Sequence, residues 1–299
     1  MKNKILLTVL SLMGLTACNN QQEVGDTTGQ MPVSAGVSGM ISQEAASRMT
    51  NDTWEEEDAI GISGTSGDVT YTNRRHNFTG GSSFTPAPGA VIYYIDEEES
   101  EFSAYYPYTA SGHTLLEANI SNQTGSKNFD YLYATAKGSL SSPMLNFNFY
   151  HTMCKVVLNF IPGTGFAVDT DFSGCTVRLA SLHASGSFDT LAGIAQANTA
   201  TAKGLEFTDG STVAANANTY SFILFPETVS GGAALSLIHN GTAYEGVHLK
   251  SKDSSDLVLT GGKVYEYNVK VNRTGLAVSS SAIHGWNDEL PDKDIDINL

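Results

Sequence analysis

The sequence has few cysteines, few charged residues and no apolar run long enough to cross a membrane. Only three of its 299 residues are Cys, and charged residues make up 16% of the chain, below the usual share of about 25%. Three cysteines are too few for the disulfide framework of a small secreted scaffold. The apolar segment from Ile5 to Leu15 is shorter than the roughly 20 residues of a transmembrane helix, so a membrane span is not predicted.

Positive charge is also scarce. The chain has 16 Lys and Arg against 31 Asp and Glu, which gives a formal net charge of −15. A strongly acidic chain repels the phosphates of nucleic acid, and no stripe of basic residues offsets this repulsion. We therefore expect no nucleic-acid partner.

Motifs for catalysis and metal binding are lacking too. The sequence contains no nucleophile elbow, phosphate loop or paired-histidine metal helix. Its histidines are scattered, and His151, which lies beside apolar segments, is interpreted as a structural residue. The acidic tail Asp292–Asn298 resembles the start of a calcium loop, but Ile297 stands where that loop requires glycine. No enzyme activity, cofactor or metal is predicted.

Short apolar segments separated by turn residues are abundant. No window carries a sustained helical stripe, whereas Val264 to Val271 alternates regularly. Tyr265, Tyr267, Val269 and Val271 face one way there, as in a half-buried antiparallel strand. Many short strands with glycine-rich turns predict an all-β sandwich or barrel.

The predicted strands divide the chain into two domains. Besides the last one, we expect strands at Val33 to Met40, Val69 to Tyr71, Ala90 to Ile95, Phe102 to Tyr108, Leu145 to Phe149, Lys155 to Phe160, Thr176 to Leu179, Phe222 to Phe225, Leu235 to Ile238 and Ala243 to Leu249. The apolar positions change from odd to even near His151, which indicates a bulge or break there. We place the domain boundary just before the strands Leu145 to Phe149 and Lys155 to Phe160, which gives domains at 33–142 and 143–288.

Two cysteines lie within the predicted second domain. Cys154 alternates with Val156 and Leu158, and Cys175 alternates with Val177, so both face the apolar side of a strand. Two readings remain open: a disulfide between Cys154 and Cys175, or two buried free thiols.

The N-terminus has the form of a lipoprotein signal. Lys2 and Lys4 precede the short apolar segment, which ends in Leu15-Thr16-Ala17-Cys18. This tetrad resembles the lipobox of bacterial lipoproteins. The resemblance implies a signal peptide at 1–17, a lipid on the sulfur of Cys18 that anchors the protein to the membrane, and a polar tether at 18–32.

Several segments resemble, in order, the fimbrillin (Mfa-like) family of Gram-negative anaerobes. They are Trp54 with Asp58-Ala59-Ile60-Gly61, then Ala104-Tyr105-Tyr106-Pro107-Tyr108, Leu145-Asn146-Phe147 with His151 and Lys155-Val156, Gly186-Ser187-Phe188-Asp189, Phe225-Pro226, and Gly262-Lys263-Val264-Tyr265-Glu266-Tyr267 with Val269, Val271, Leu276, Ile283 and Trp286. Each segment alone has a sequence that is common in strands and turns. Their order and joint presence carry the resemblance.

The family resemblance implies a fold and a role. It implies two transthyretin-like antiparallel β-sandwiches of Greek-key character and a structural subunit of surface fimbriae at the outer membrane. Other fimbrial subunits would be the partners, joined by strand exchange in support of adhesion. Val33 to Met40 would be the strand lost after an arginine-specific protease cuts Arg48-Met49. The acidic tail at 289–299 would be the donor strand.

Three alternatives remain open. Arg48 is either the cleavage site or an uncut surface residue, and the subunit could belong to the stalk, the tip or the anchor of a fimbria. A different reading is a surface lipoprotein that does not polymerise and binds a glycan or another host ligand through exposed aromatic residues.

Overall fold

The protein is all-β, as predicted. The computed structural model describes residues 31–37, 54–111, 114–201, 203–207 and 218–286. Within these ranges the only helical element is a 3-10 helix at Gln123–Asn128, and strands form the rest of the regular structure. None of the described helical structure is long and apolar enough to span a bilayer.

Within the described ranges, eleven strands precede Thr152. They are β1 (Met31–Pro32), β2 (Ser34–Val37), β3 (Ala59–Ser66), β4 (Val69–Gly80), β5 (Ser83–Pro86), β6 (Tyr93–Tyr94), β7 (Ser100–Tyr106), β8 (Leu115–Asn119), β9 (Leu132–Gly138), β10 (Met144–Phe147) and β11 (Tyr150–His151).

Twelve strands follow in the described part of the chain. They are β12 (Cys154–Pro162), β13 (Thr176–His183), β14 (Ser185–Asp189), β15 (Ile194–Ala197), β16 (Lys203–Phe207), β17 (Thr219–Leu224), β18 (Glu227–Val229), β19 (Ala233–His239), β20 (Thr242–Leu249), β21 (Leu257–Leu259), β22 (Lys263–Asn272) and β23 (Gly275–Gly285).

The first half of the chain forms an eight-stranded sheet in the order β10-β2-β5-β4-β3-β7-β9-β11. Alternate residues of its strands point to one side, as the period of two requires. These side chains form most of the N-terminal core, which includes Ile60, Ile62, Phe84, Phe102, Leu132, Leu145 and Phe147 from the sheet and Val33, Ile92 and Phe149 from segments outside its strands.

The second half contains two four-stranded sheets, β17-β12-β22-β23 and β16-β13-β19-β20. Their apolar side chains form the C-terminal core, in which Phe207 of β16 stacks on Phe222 of β17 with ring centroids 4.3 Å apart. The inward residues predicted on β22, Tyr265, Tyr267, Val269 and Val271, are all buried in this core. The alternation along β22 was therefore predicted correctly.

A small three-stranded sheet, β15-β14-β8, joins the two halves. Strand β8 comes from the first half but pairs with β14, so Leu116 belongs to the C-terminal core. Tyr131 stacks on Phe188 of β14 at 4.5 Å, and Tyr105 also packs near Phe188. The outer face of the eight-stranded sheet is thus partly covered by the second half of the chain.

The boundary drawn between residues 142 and 143 does not separate the sheets. Strand β10 pairs with β2, and Leu145, Phe147 and Phe149 lie in the N-terminal core. The sheets change instead at Thr152 and Met153, between β11 and β12, where the apolar phase of the sequence breaks. The phase break coincides with this division, because the odd positions 145, 147 and 149 are buried in the N-terminal core and the even positions 154, 156 and 158 in the C-terminal core.

The expectation of purely antiparallel pairing holds for most strand pairs but not for two. Strand β22 pairs antiparallel with β23 but parallel with β12, and β10 pairs parallel with β2. Alternation reports which face of a strand is buried and not the direction of its neighbour. The transthyretin-like connectivity stays a prediction.

The Phe222 side chain offers a test of the C-terminal core. We expect Phe222→Ala to lower the free energy of unfolding by about 3–5 kcal/mol, because the change leaves a cavity against Phe207. Ile194→Ala is the matched control, since Ile194 is 56% exposed, and should change the free energy by less than about 0.5 kcal/mol. Chemical denaturation followed by circular dichroism measures both. Equal effects of the two substitutions would contradict the assigned core.

Alkaline unfolding tests the burial of Tyr131. Burial, and then the charge of Glu117, raise the pKa of Tyr131 from 10.0 to about 12. The unfolded chain thus releases the phenolic proton at lower pH than the folded chain, so the contribution of Tyr131 is present below about pH 10 and is lost as pH rises to about 12. We expect Tyr131→Phe to show a shallower fall of unfolding free energy between these pH values. An unchanged slope would contradict this assignment.

Candidate functional site

The N-terminal strand β2 lies inside the eight-stranded sheet and not at its edge. It pairs antiparallel with β5 through Ala35 and Gly36, and parallel with β10 along its whole length. In this register Ala35 is opposite Phe84 on one side and Leu145 on the other, and Val37 is opposite Phe147. Without β2, the sheet would carry two unpaired edges facing a gap one strand wide.

The residues just before β2 hold its start in place. Strand β1 pairs with β6, and the Val33 backbone N–H donates to the Ile92 carbonyl at 2.9 Å. The side chain of Val33 is buried with Ile92 and Phe84 in the N-terminal core. Residues 31–37 are thus bonded to three different strands although few residues are involved.

Trp54 packs against the N-terminal core. Its ring meets Phe84 edge-on at 5.0 Å, Tyr106 at 5.1 Å and Phe149 at 5.6 Å. Phe84 and Phe149 belong to the core that β2 covers. The tryptophan singled out in the sequence therefore packs over the same core as the N-terminal strand.

Asp58 holds the turn that carries Trp54. Its carboxylate accepts hydrogen bonds from the Tyr106 hydroxyl at 2.9 Å and the Glu55 backbone N–H at 2.8 Å, and it lies 3.0 Å from the Lys127 amine. Burial, and then the charge of Asp58, raise the pKa of Tyr106 above its usual value. The segments around Trp54 and Tyr106 that were noted separately in the sequence form one hydrogen-bonded unit.

A second cluster lies where the two halves of the chain meet. His151 stacks on Trp286 with ring centroids 4.0 Å apart, and its Nδ1 lies 2.8 Å from the Asp130 carboxylate. The Lys155 amine lies 5.5 Å from the Trp286 ring centroid. The Trp286 backbone N–H also donates to Gly262. This cluster fixes the point where the chain leaves β23.

The structure records Cys154 and Cys175 as buried free thiols, which agrees with one of the two predicted readings and not with the disulfide. The Cys154 thiol donates to the Leu224 carbonyl at 3.2 Å, whereas the Cys175 backbone N–H donates to the Tyr220 hydroxyl. Leu224 and Tyr220 are four residues apart on β17, about 13 Å along the strand. The two cysteines therefore occupy different ends of the core.

A buried group of Cys154, His183 and Glu227 superficially resembles a catalytic triad. His183 Nδ1 lies 2.6 Å from Glu227, but the Cys154 thiol donates to backbone carbonyls. Burial, and then the charge of Glu227, raise the pKa of Cys154, which disfavours the nucleophilic thiolate. Among the described residues no group of His, Cys, Asp and Glu could hold a metal ion.

Several predicted residues lie outside the described part of the chain. They are the lipidation residue Cys18, the cleavage bond Arg48-Met49, and the tail at 289–299. Of the predicted strand Val33 to Met40, the structure describes Val33 and β2, which ends at Val37.

The sequence profile of the fimbrillin-like family matches residues 47–286 of this chain. The chain belongs to the fimbrillin-like family. The predicted family resemblance is thereby confirmed. Among curated proteins, the chain is 28% identical over 305 residues to a candidate fimbrium subunit, Fim1C, of Bacteroides uniformis, with 95% of each sequence covered.

Solved structures show the same fold. A candidate cell adhesion protein of Bacteroides uniformis superposes with a TM-score of 0.70 at 27% identity, covering 87% of this chain and all of that one. One from Bacteroides ovatus gives 0.66 at 23% identity, covering 86% and 98%. The tip fimbrial protein Mfa3 of Porphyromonas gingivalis gives 0.50 at 9% identity, covering 86% and 99%. The last two comparisons bear on the fold alone.

The Asp58 unit can be tested by mutation. We expect Asp58→Ala to lower the free energy of unfolding by about 1–3 kcal/mol, because the buried Tyr106 hydroxyl loses its acceptor and the Lys127 amine keeps only the Glu55 carboxylate. Trp54 should become more exposed, which its fluorescence reports in a Trp286→Phe background. Glu56→Ala, an exposed change in the same turn, is the control. Identical fluorescence and stability in both variants would show that Asp58 does not hold Trp54.

Proposed function

We propose that this protein is a fimbrial subunit that assembles by strand exchange at β2. The observation that carries the proposal is the position of β2, which is paired on both sides yet belongs to a short N-terminal segment. Its removal would open a groove between β5 and β10, floored by Phe84, Leu145 and Phe147. An extended strand from another subunit would restore the lost backbone bonds and refill the apolar floor.

The segment that joins β2 to Trp54 carries the proposed cleavage bond, Arg48-Met49. A cut there would separate the residues before it, including Cys18 and β2, from the folded remainder. The lipid on Cys18 would then serve only to deliver the subunit to the outer membrane, because the cut would remove the lipid together with β2. Without a cut, the lipid would remain as a permanent anchor.

The acidic tail supplies the proposed donor strand. Ile295, Ile297 and Leu299 have the same spacing as Val33, Ala35 and Val37. If the tail enters the groove in the direction of β2, Ile297 takes the place of Ala35, opposite Phe84 and Leu145, and Leu299 takes the place of Val37, opposite Phe147. The donor and acceptor sites differ on each subunit, so the exchange continues head to tail and builds a filament.

A second candidate function is binding of a glycan by a subunit that does not polymerise. A cavity of about 580 Å³ lies on the outer face of the eight-stranded sheet, within the size range of ligand sites. Glu101 and Leu191 contribute to its lining, together with six side chains that carry a hydroxyl group. These six are Ser63, Thr65, Thr70, Thr72, Ser103 and Thr135. Such a surface suits hydrogen bonding to an uncharged saccharide.

Assembly can be tested with purified chains that begin at Met49. We expect them to form filaments visible by negative-stain electron microscopy, whereas the uncut chain stays monomeric. Ile297→Asp should abolish the filaments, because it places a charge against the apolar floor of the groove. Asn298→Asp adds the same charge on the opposite face of the tail and should leave them intact.

Processing is checked on protein recovered from the cell surface by N-terminal sequencing. A chain that starts at Met49 is expected, and Arg48→Ala should leave the N-terminus uncut, with Arg75→Ala as the control for loss of an exposed arginine. Protein still acylated at Cys18, without filaments and with tight binding on a glycan array, would overturn strand exchange and favour the second candidate.

A further inference from the structure

A cleft of about 760 Å³ lies between β20 and β23 in the second half of the molecule. These strands are the edges of the two four-stranded sheets that enclose the C-terminal core. The apolar side chains of Val247, Tyr267 and Val278 contribute to its lining. The Tyr267 hydroxyl donates to the Lys250 carbonyl at 2.9 Å, which ties this wall of the cleft to the chain after β20.

The two edge strands touch near one end of the cleft. Gly275, at the start of β23, lies so close to the Glu245 carbonyl of β20 that an added Cβ would come within 2.5 Å of it. Beyond this contact, Val247 and Val278 face a common open space. Within the described ranges β20 pairs only with β19, and β23 only with β22. The outer edge of each strand therefore lacks a strand partner among the described residues.

The cleft is positively charged in a strongly acidic protein. His248, Lys250 and Lys252 line it, with Asp253 as the one carboxylate. Neither Lys250 nor Lys252 forms an ion pair with any described residue. Since the whole chain carries a net charge of −15, these lysines form a local site that favours an acidic segment.

We propose that the C-terminal tail of the same chain, residues 287–299, docks in this cleft as an extended strand. The tail carries five carboxylate side chains, at Asp288, Glu289, Asp292, Asp294 and Asp296. Its last six residues place Ile295, Ile297 and Leu299 in alternation with Asp294, Asp296 and Asn298, as in a strand with one apolar face, and Lys293 is its one cation. The apolar face meets Val247, Tyr267 and Val278, and the acidic face meets the lysines.

The tail is long enough to reach the cleft of its own subunit. Ser281 and Val278 are five and eight residues before Trp286, which is about 17 and 26 Å along an extended strand. The 13 residues after Trp286 span up to about 43 Å when extended, so they can turn back and run beside β23. Tethering gives the tail an effective concentration in the millimolar range, which favours its own cleft over that of a second copy.

The biological consequence of this docking rests on the proposed function, but the docking itself does not. If the tail is the donor strand, docking in its own cleft shields Ile295, Ile297 and Leu299 from water until a neighbouring groove becomes available. The docking itself requires only an uncut monomer in which β2 still fills its groove. Its test is therefore separate from the test of filament assembly.

A disulfide trap on the uncut full-length chain, with Cys18 replaced by Ser, tests the contact. We expect Val278→Cys combined with Ile297→Cys to form an intramolecular crosslink at least about tenfold more efficiently than Ile194→Cys combined with Ile297→Cys. Ile194 is exposed and lies on β15, outside this cleft. The two native cysteines are buried and are present in both variants. A crosslinked dimer would instead identify a second copy as the occupant and overturn the intramolecular proposal.

Hydrogen exchange provides an independent readout that needs no engineered cysteine. The full chain should protect residues 246–252 and 276–283 more than a chain ending at Trp286, and Lys250→Glu with Lys252→Glu should remove most of this difference. Lys263→Glu with Lys270→Glu, two exposed changes on β22, should leave the difference intact. Equal exchange with and without the tail would overturn the proposal. Sialyllactose, an acidic sugar, serves as the probe for a glycan occupant of this cleft, and protection by it but not by the tail would also overturn the proposal.

Discussion

The completion of the eight-stranded sheet by β2 is the constraint on which the first half of the molecule depends. A strand inside a sheet has neighbours on both sides, and here these are β5 and β10. Leu145 and Phe147, which lie beside β2 on β10, are fully buried in the core that also contains Val33. A few residues near the N-terminus therefore protect a core built from residues far away in the sequence.

Two aromatic clusters hold the boundaries of this arrangement. Trp54 packs where the chain re-enters the N-terminal core, and Asp58 holds its turn through the Tyr106 hydroxyl. Trp286 marks the other boundary, where the His151 ring stacks against it at the junction of the two halves. The segment carrying Arg48 ends at the Trp54 cluster, and the tail begins at the Trp286 cluster, so each proposed site lies next to a packed residue.

The sequence predicted some elements well and missed others for a physical reason. Strands β12 and β22 bury one face in the C-terminal core, so their alternation is regular and visible. Strand β23 has eleven residues but few large apolar ones, because it is an edge strand with much of its surface only half buried. Strand β14, with the sequence Ser185–Asp189, is predominantly small and polar yet largely buried, since Phe188 fills the space between the two halves. No local pattern signals that kind of burial.

The residues themselves determined the all-β class, the buried faces of the strongest strands, the change of phase near His151 and the family. Each of these follows from local side-chain order, which a strand of period two makes readable. Only the tertiary structure decided that β2 lies parallel to β10, that β22 lies parallel to β12 and that Cys154 and Cys175 stay apart. Backbone hydrogen bonds between strands are the same for every residue type, so the partner of a strand is selected by packing of the whole core.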